Sequence, residues 1–189
     1  MKEINPLYMQ KETMEEIKDS FTQSSPHIIH LPHFFSLSVY ESLLKEMQSA
    51  QGTKKKIANR YAYTQINTKE PAFLNSVEFS RWLSTITAKN SKKVEFVVRS
   101  FTHRDYTLLH DSETIGARLE FFILLMKKWD TRWGGHTVYV AENKEPLLFP
   151  LEGNSLSLIQ KEKYRHKFLQ YINHHAQKEK LIIIQGTLH

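Results

Sequence analysis

The 189-residue chain has no cysteine. That excludes disulfides, thiolate zinc sites, iron–sulfur clusters and cysteine nucleophiles together. Glycine and proline are sparse, six of each, and no Gly/Pro-rich or low-complexity stretch divides the sequence. No apolar run approaches the roughly 18 residues that a membrane-spanning helix needs; Phe121 to Met126 is among the longest. The start, Met1 to Ser20, is mixed in charge and helical in pattern, unlike a secretory leader. Gly-rich phosphate loops and nucleophile elbows are also missing. These absences lead to the expectation of a soluble cytoplasmic protein without a membrane partner.

Apolar residues make up 40% of the chain and charged residues 24%, enough to build a core and too much apolar material for a disordered chain. Lys and Arg number 26 against 20 Asp and Glu, a net charge of +6. The excess is spread over short clusters, Lys54-Lys55-Lys56, Lys92-Lys93 and Lys127-Lys128. Such a balance is compatible with nucleic acid, a ribosome or an acidic protein as partner, and equally with solvated loop lysines.

The length suits one domain over residues 1–189. Residues 1–92 read as largely helical. Met14, Ile17 and Phe21 recur at helical spacing, as do Val39, Leu43 and Met47 after Ser36 and Ser38, and Val77, Phe79, Trp82, Leu83 and Ile86 suggest a third helix. His27 to Leu31 and Arg60 to Ile66 look extended. From about Lys93 the pattern changes to short runs rich in β-branched and aromatic residues: 94–101, 106–110, 119–126, 136–140, 156–159, 164–168 and 181–184. Turn signals at Trp133-Gly134-Gly135 and Glu152-Gly153-Asn154 separate several of them. Strands in succession with few helices between them predict an α+β fold, with helices packed outside an antiparallel jelly-roll core over 93–189.

Ten histidines are available, so chemistry depends on which of them converge. His110 closes a predicted strand before the polar loop Asp111-Ser112-Glu113-Thr114, and His166 lies in another strand-like segment. Two imidazoles and a carboxylate on one face, with open positions left over, are what a non-haem Fe(II) oxygenase requires. Spacing alone leaves surface or core histidine as the alternative. His174-His175 sits in a Lys-rich loop, and His136 stands at a predicted strand edge.

Tyr106 to Glu113 with His110 inside it, then Arg118, the apolar run Phe121 to Leu125, Trp129-Asp130 and Gly134-Gly135 together resemble the core of 2-oxoglutarate/Fe(II)-dependent oxygenases. The similarity is to the prolyl-hydroxylase branch, and in particular to its ribosomal-protein prolyl hydroxylases. Asn154 to Ile159, His166 and Leu181 to His189 are similar to the family's later strand, distal histidine and closing strand, and Ser25 to Ile29 to its N-terminal segment. The resemblance implies a double-stranded β-helix. It further implies Fe(II) and 2-oxoglutarate as cofactors and hydroxylation of a protein or small-molecule substrate.

Carried over residue by residue, the metal ligands would be His110 and His166, with Ser112 where the family has Asp. Asp111 or Glu113 would substitute only by leaving the face that His110 shares with residue 112. A literal His-x-Asp occurs at His103-Arg104-Asp105. A third possibility is a vacant ligand position that takes water or halide, as in halogenating members. On the closing strand, Leu181 stands where the family has the Arg that grips 2-oxoglutarate, and the neighbouring Lys180 is the candidate replacement, given a bulge or shifted register. Arg118 is expected to support the fold, and Tyr106, Phe121 and Trp129 to pack in the core or line a pocket. Two readings follow: an oxygenase, or a jelly-roll binding module of the same fold without the full iron and 2-oxoglutarate site.

Overall fold

In the computed structural model, residues 1–69, 71–90, 94–111, 119–141, 145–160 and 166–188 are described, with the backbone alone at 109–111. Three helices, α1 (Lys11–Gln23), α2 (Leu37–Ser49) and α3 (Val77–Thr87), accompany one long antiparallel sheet. Its strands are β1 (Ile28–Leu31), β2 (Gly52–Ile57), β3 (Tyr61–Ile66), β4 (Val94–Phe101), β5 (Tyr106–Asp111), β6 (Leu119–Leu125), β7 (Thr137–Val140), β8 (Leu147–Leu148), β9 (Ser155–Gln160), β10 (His166–Leu169) and β11 (Leu181–Leu188).

The strand order is β1-β9-β6-β11-β4-β3-β5-β10-β7-β8, with β2 paired only to β3. β3 is the hinge of the curl. Thr64 to Ile66 pair with β4, and Tyr61 and Ala62 pair with β5, so one strand joins the layer β1-β9-β6-β11-β4 to the layer β5-β10-β7-β8. This is the expected jelly roll. β1 and β3, both from the helical first part of the sequence, are built into the same hydrogen-bonded sheet.

Strand alternation divides the core in two. In β6, Leu119, Phe121, Ile123 and Leu125 face the helices, whereas Phe122 and Leu124 face the interior between the layers. β11 does the same, with Ile182, Ile184 and Leu188 outward and Leu181 and Ile183 inward. Both faces are covered, which is why these strands read as continuous apolar runs. The helices close the outer face through aromatic contacts: Phe79 meets Phe121 edge-on at 5.8 Å, and Trp82 packs on Phe34 at 5.6 Å. Phe121 therefore serves the helix interface and does not line the interior.

Two turns are pinned by side-chain hydrogen bonds. Asn154, buried at φ 59°, exchanges side-chain hydrogen bonds with Phe35: Phe35 N donates to Oδ1 (2.8 Å) and Nδ2 donates to Phe35 O (3.1 Å). At the Trp-Asp turn, Trp129 Nε1 donates to Gly134 O (2.9 Å), and Gly134 takes a φ of 84°. Ser76 caps α3 by accepting from Phe79 N.

Candidate functional site

β5, β10 and β7 lie side by side and carry the region in which the sequence places the chemistry. In the ladder between β5 and β10, Lys167 stands opposite His110 and His166 opposite Asp111. The two histidine positions thus lie on neighbouring strands, one register step apart. A one-step offset changes the face of a strand, and on β10 the residue whose side chain enters the interior is Lys167. His166 is half-buried and pairs with Val140 of β7. Ser112, Glu113 and Arg118 lie outside the described residues.

The interior beside these strands is ionic. Lys167 Nζ donates to Glu120 Oε2 at 2.6 Å, and the Tyr139 hydroxyl donates to the same oxygen at 2.6 Å. The Lys167 side chain is 12% exposed and that of Glu120 is fully buried. The ammonium also sits over the Phe122 and Tyr139 rings, at 5.5 and 5.9 Å. Burial raises the Tyr139 hydroxyl well above the ordinary tyrosine value, reinforced by the Glu120 charge and its hydrogen bond. A buried carboxylate is tolerated only with a cation and donors around it, and Lys167 and Tyr139 provide both. The signal in the sequence is Glu120 itself, a lone charge inside an otherwise apolar strand.

A cavity of about 40 Å³ opens between the two layers next to this cluster, lined among others by Arg99, Thr107, Thr137, Lys167 and Gln185. At roughly 10–15 Å³ per water position it holds about three waters, the size of a carboxylate head with an attached carbon.

The remaining candidates have other partners. Lys180 precedes β11, and its Nζ donates to Gln48 O at the end of α2 (2.8 Å), away from the cavity. Leu181 is fully buried in the interior apolar cluster. Asp105, of the literal His-x-Asp, is buried and holds the turn between β4 and β5: it accepts from Lys54 Nζ at 2.5 Å and from Thr102 N at 3.0 Å. His136 Nδ1 faces Phe149 O at 3.3 Å, and the exposed His174 and His175 rings contact each other.

The implied iron can be tested against this arrangement. Among the described residues no three His, Asp or Glu side chains gather into a metal site. The interior position opposite His110 is held by an ammonium already bound to the buried carboxylate. A divalent cation there meets a like charge in a low-dielectric interior. Among the described residues, the arrangement does not fit the metal.

Among the described residues no helix is long and apolar enough to cross a membrane. Prolyl 3-hydroxylase OGFOD1 of Xenopus laevis is 23% identical over 223 residues, covering 93% of this chain and 43% of the relative, so the chain spans less than half of that protein's length. A Pseudomonas putida prolyl-4-hydroxylase superposes with a TM-score of 0.68 at 10% identity, over 93% of this chain and 97% of that one. A Trichoplax adhaerens prolyl hydroxylase, solved with a peptide of the hypoxia inducible factor oxygen degradation domain, gives 0.67 at 12% identity, over 96% and 94%. The nucleic-acid or ribosome partner expected from the basic balance has no support among these likenesses. The family model described as "Oxoglutarate and iron-dependent oxygenase degradation C-term" matches residues 55–186. With that match over most of its length, the chain belongs to this family of oxygenase-like proteins, and the solved structures share its jelly-roll fold.

Proposed function

We propose that the chain takes a small organic acid of the 2-oxoglutarate class into its jelly-roll interior and holds a protein segment as its partner, without needing a metal to do either. The observation that carries this reading is the charge balance of the interior. Two cations, Arg99 and Lys167, line the cavity, and Lys167 is matched by the buried carboxylate Glu120. Among the described residues one positive charge, Arg99, is left without a carboxylate partner, and an anion is the ligand that relieves it. The protein partner rests on the relatives: one neighbour is a prolyl hydroxylase in complex with a peptide fragment, and the frog relative is named as a prolyl 3-hydroxylase.

The reading is tested by calorimetry on EDTA-treated protein. 2-Oxoglutarate should bind saturably, and its dimethyl ester, of similar shape but uncharged, should not. Equal binding of acid and ester, or none of either, contradicts the proposal.

A second reading is iron-dependent hydroxylation with His110 and His166 as ligands and Ser112 at the third position. It is favoured by the adjacency of β5 and β10 in the ladder and by the activity named for the relatives. It requires the Lys167 ammonium to leave Glu120 before a metal enters. Succinate release from 2-oxoglutarate with Fe(II) and ascorbate, lost in His110→Ala and His166→Ala, would establish it.

A further inference from the structure

We infer that the outer face of the layer β5-β10-β7-β8, with β3 beside it, is a docking surface for an acidic amphipathic helix of a partner protein. This face lies on the other side of the sheet from the cavity, so the inference goes beyond the proposed function and does not depend on it.

Strand alternation fixes which residues the face carries. Thr107 and Thr137 line the cavity, and Tyr139 bonds Glu120 in the interior, so Tyr106 and Leu108 of β5 and Val138 of β7 point the other way. Ala62 stands opposite Tyr106, and Leu148 opposite Val138, on the same side. The Tyr171 ring lies beside that of Tyr106, their centroids 6.4 Å apart. Helices close the outer face of the first layer, whereas none of these residues belongs to either core cluster. Leu108, Leu148 and Tyr171 are 45%, 50% and 52% exposed. Large apolar side chains left half in water on one sheet face mark a contact surface.

The charge at its border selects the partner. Lys54 and Lys56 of β2 continue the face beyond β3, with Lys56 opposite Ala62. Arg60 adjoins Leu108, whose N–H donates to the Arg60 carbonyl at 2.7 Å, and Arg104 lies in the turn before β5. The buried Asp105 pairs with Lys54. Among the described residues no carboxylate pairs with the exposed Lys56, Arg60 or Arg104. Cations beside apolar anchors fit a partner that brings carboxylates and aliphatic side chains together. With the chain at +6, a second copy sets cation against cation. Leu108 and Leu148 are aliphatic, unlike the aromatic platforms on which single-stranded nucleic acid stacks. A helix laid on the sheet is also how the first layer is closed. From β3 to β8 the strands span about 19 Å, which about 13 residues of helix cross.

The test uses the full chain and a synthetic helical peptide of about 18 residues, with leucines at i, i+3, i+4 and i+7 and glutamates on the other face. A peptide with lysines in place of the glutamates, and a scrambled one of the same composition, are the controls. Binding is followed by calorimetry and by backbone amide resonances. The glutamate helix should bind saturably, move the resonances of Leu108, Leu148 and Tyr171, and weaken as salt is added. The lysine helix should bind at least about tenfold more weakly. Leu108→Gln with Leu148→Gln, and separately Lys56→Glu with Arg60→Glu, should each cost at least about tenfold in affinity. Should either double variant fold poorly by circular dichroism, the wild-type resonances and the salt dependence decide. No binding of the glutamate helix, equal binding of the three peptides, or shifts confined to residues lining the cavity overturns the inference. A dimer of the chain alone in sedimentation, dissolved by Leu108→Gln, gives the face to a second copy and overturns it too. So does a single-stranded oligonucleotide that binds this face more tightly than the glutamate helix.

Discussion

Lys167 reaches from β10 across the jelly-roll interior to Glu120 of β6 and holds its carboxylate at 2.6 Å, with Glu120 fully buried. The pair joins the two layers of the sheet. Removing the cation alone strands a buried charge, which costs about 3–5 kcal/mol. Lys167→Met should lose that much stability in urea unfolding. Replacing both partners with apolar residues, as Lys167→Met with Glu120→Leu, should recover most of it. A single variant as stable as the wild type would show that the two groups do not depend on each other.

Asn154 ties the turn before β9 to the segment leading into α2 by two side-chain hydrogen bonds to Phe35, in a left-handed backbone conformation that Asn tolerates well. Asn154→Ala leaves a buried N–H and a buried carbonyl without their partner, at roughly 1–3 kcal/mol each. A loss of at least about 2 kcal/mol is expected in chemical denaturation, and a loss under about 0.5 kcal/mol, the range of ordinary surface changes, would contradict the contact.

Gly186 lies opposite Phe121 in the ladder between β11 and β6. A Cβ at Gly186 runs into the Phe121 ring, which itself packs under Phe79 of α3. Gly186→Ala should destabilise by about 1–3 kcal/mol, the usual range for overpacking a core. Combining it with Phe121→Leu, which vacates the ring, should recover part of the loss; additive losses in the double variant would point away from this contact.

Asp130 accepts from Arg132 through both its side chain and its backbone N–H. These bonds, the side-chain ones first, hold its carboxyl at about 2 against an ordinary 3.8. Because the folded value is the lower one, the associated stability is present above the unfolded value and is lost as pH falls from about 4 through about 2. The carboxyl carbon of Asp130 should titrate near 2 by NMR, and in Arg132→Ala it should return towards 3.8. A wild-type midpoint near 3.8 would contradict the contact.

Much of this architecture was legible in the sequence. Met14, Ile17 and Phe21, and Phe79, Trp82 and Ile86, marked α1 and α3, and β4 was bounded correctly, because buried faces impose a period that sequence displays. β2 was missed: Gly52 to Ile57 is exposed along its whole length and pairs by backbone to β3 alone, so it carries no apolar alternation. The likeness to the family rests on Tyr106 to Glu113, Arg118, the Phe121 to Leu125 run, Trp129-Asp130 and Gly134-Gly135, with the later segments around His166 and Leu181. The ionic interior was not legible. Lys167 and Arg99 come from strands far apart in the chain, and only the curl of the sheet through β3 brings their side chains to one cavity, with Glu120 bound to Lys167 beside it.

The most direct test is an anaerobic titration of Mn(II), and then Fe(II), into the purified chain with and without 2-oxoglutarate, alongside His110→Ala, His166→Ala and Lys167→Met. With Lys167 as the resident cation, 2-oxoglutarate is expected to bind in the absence of metal, and neither metal is expected to bind tightly or to strengthen it in the wild type. Tight metal binding that 2-oxoglutarate strengthens, and that either histidine variant abolishes, would contradict this and establish an iron-dependent oxygenase site at His110 and His166.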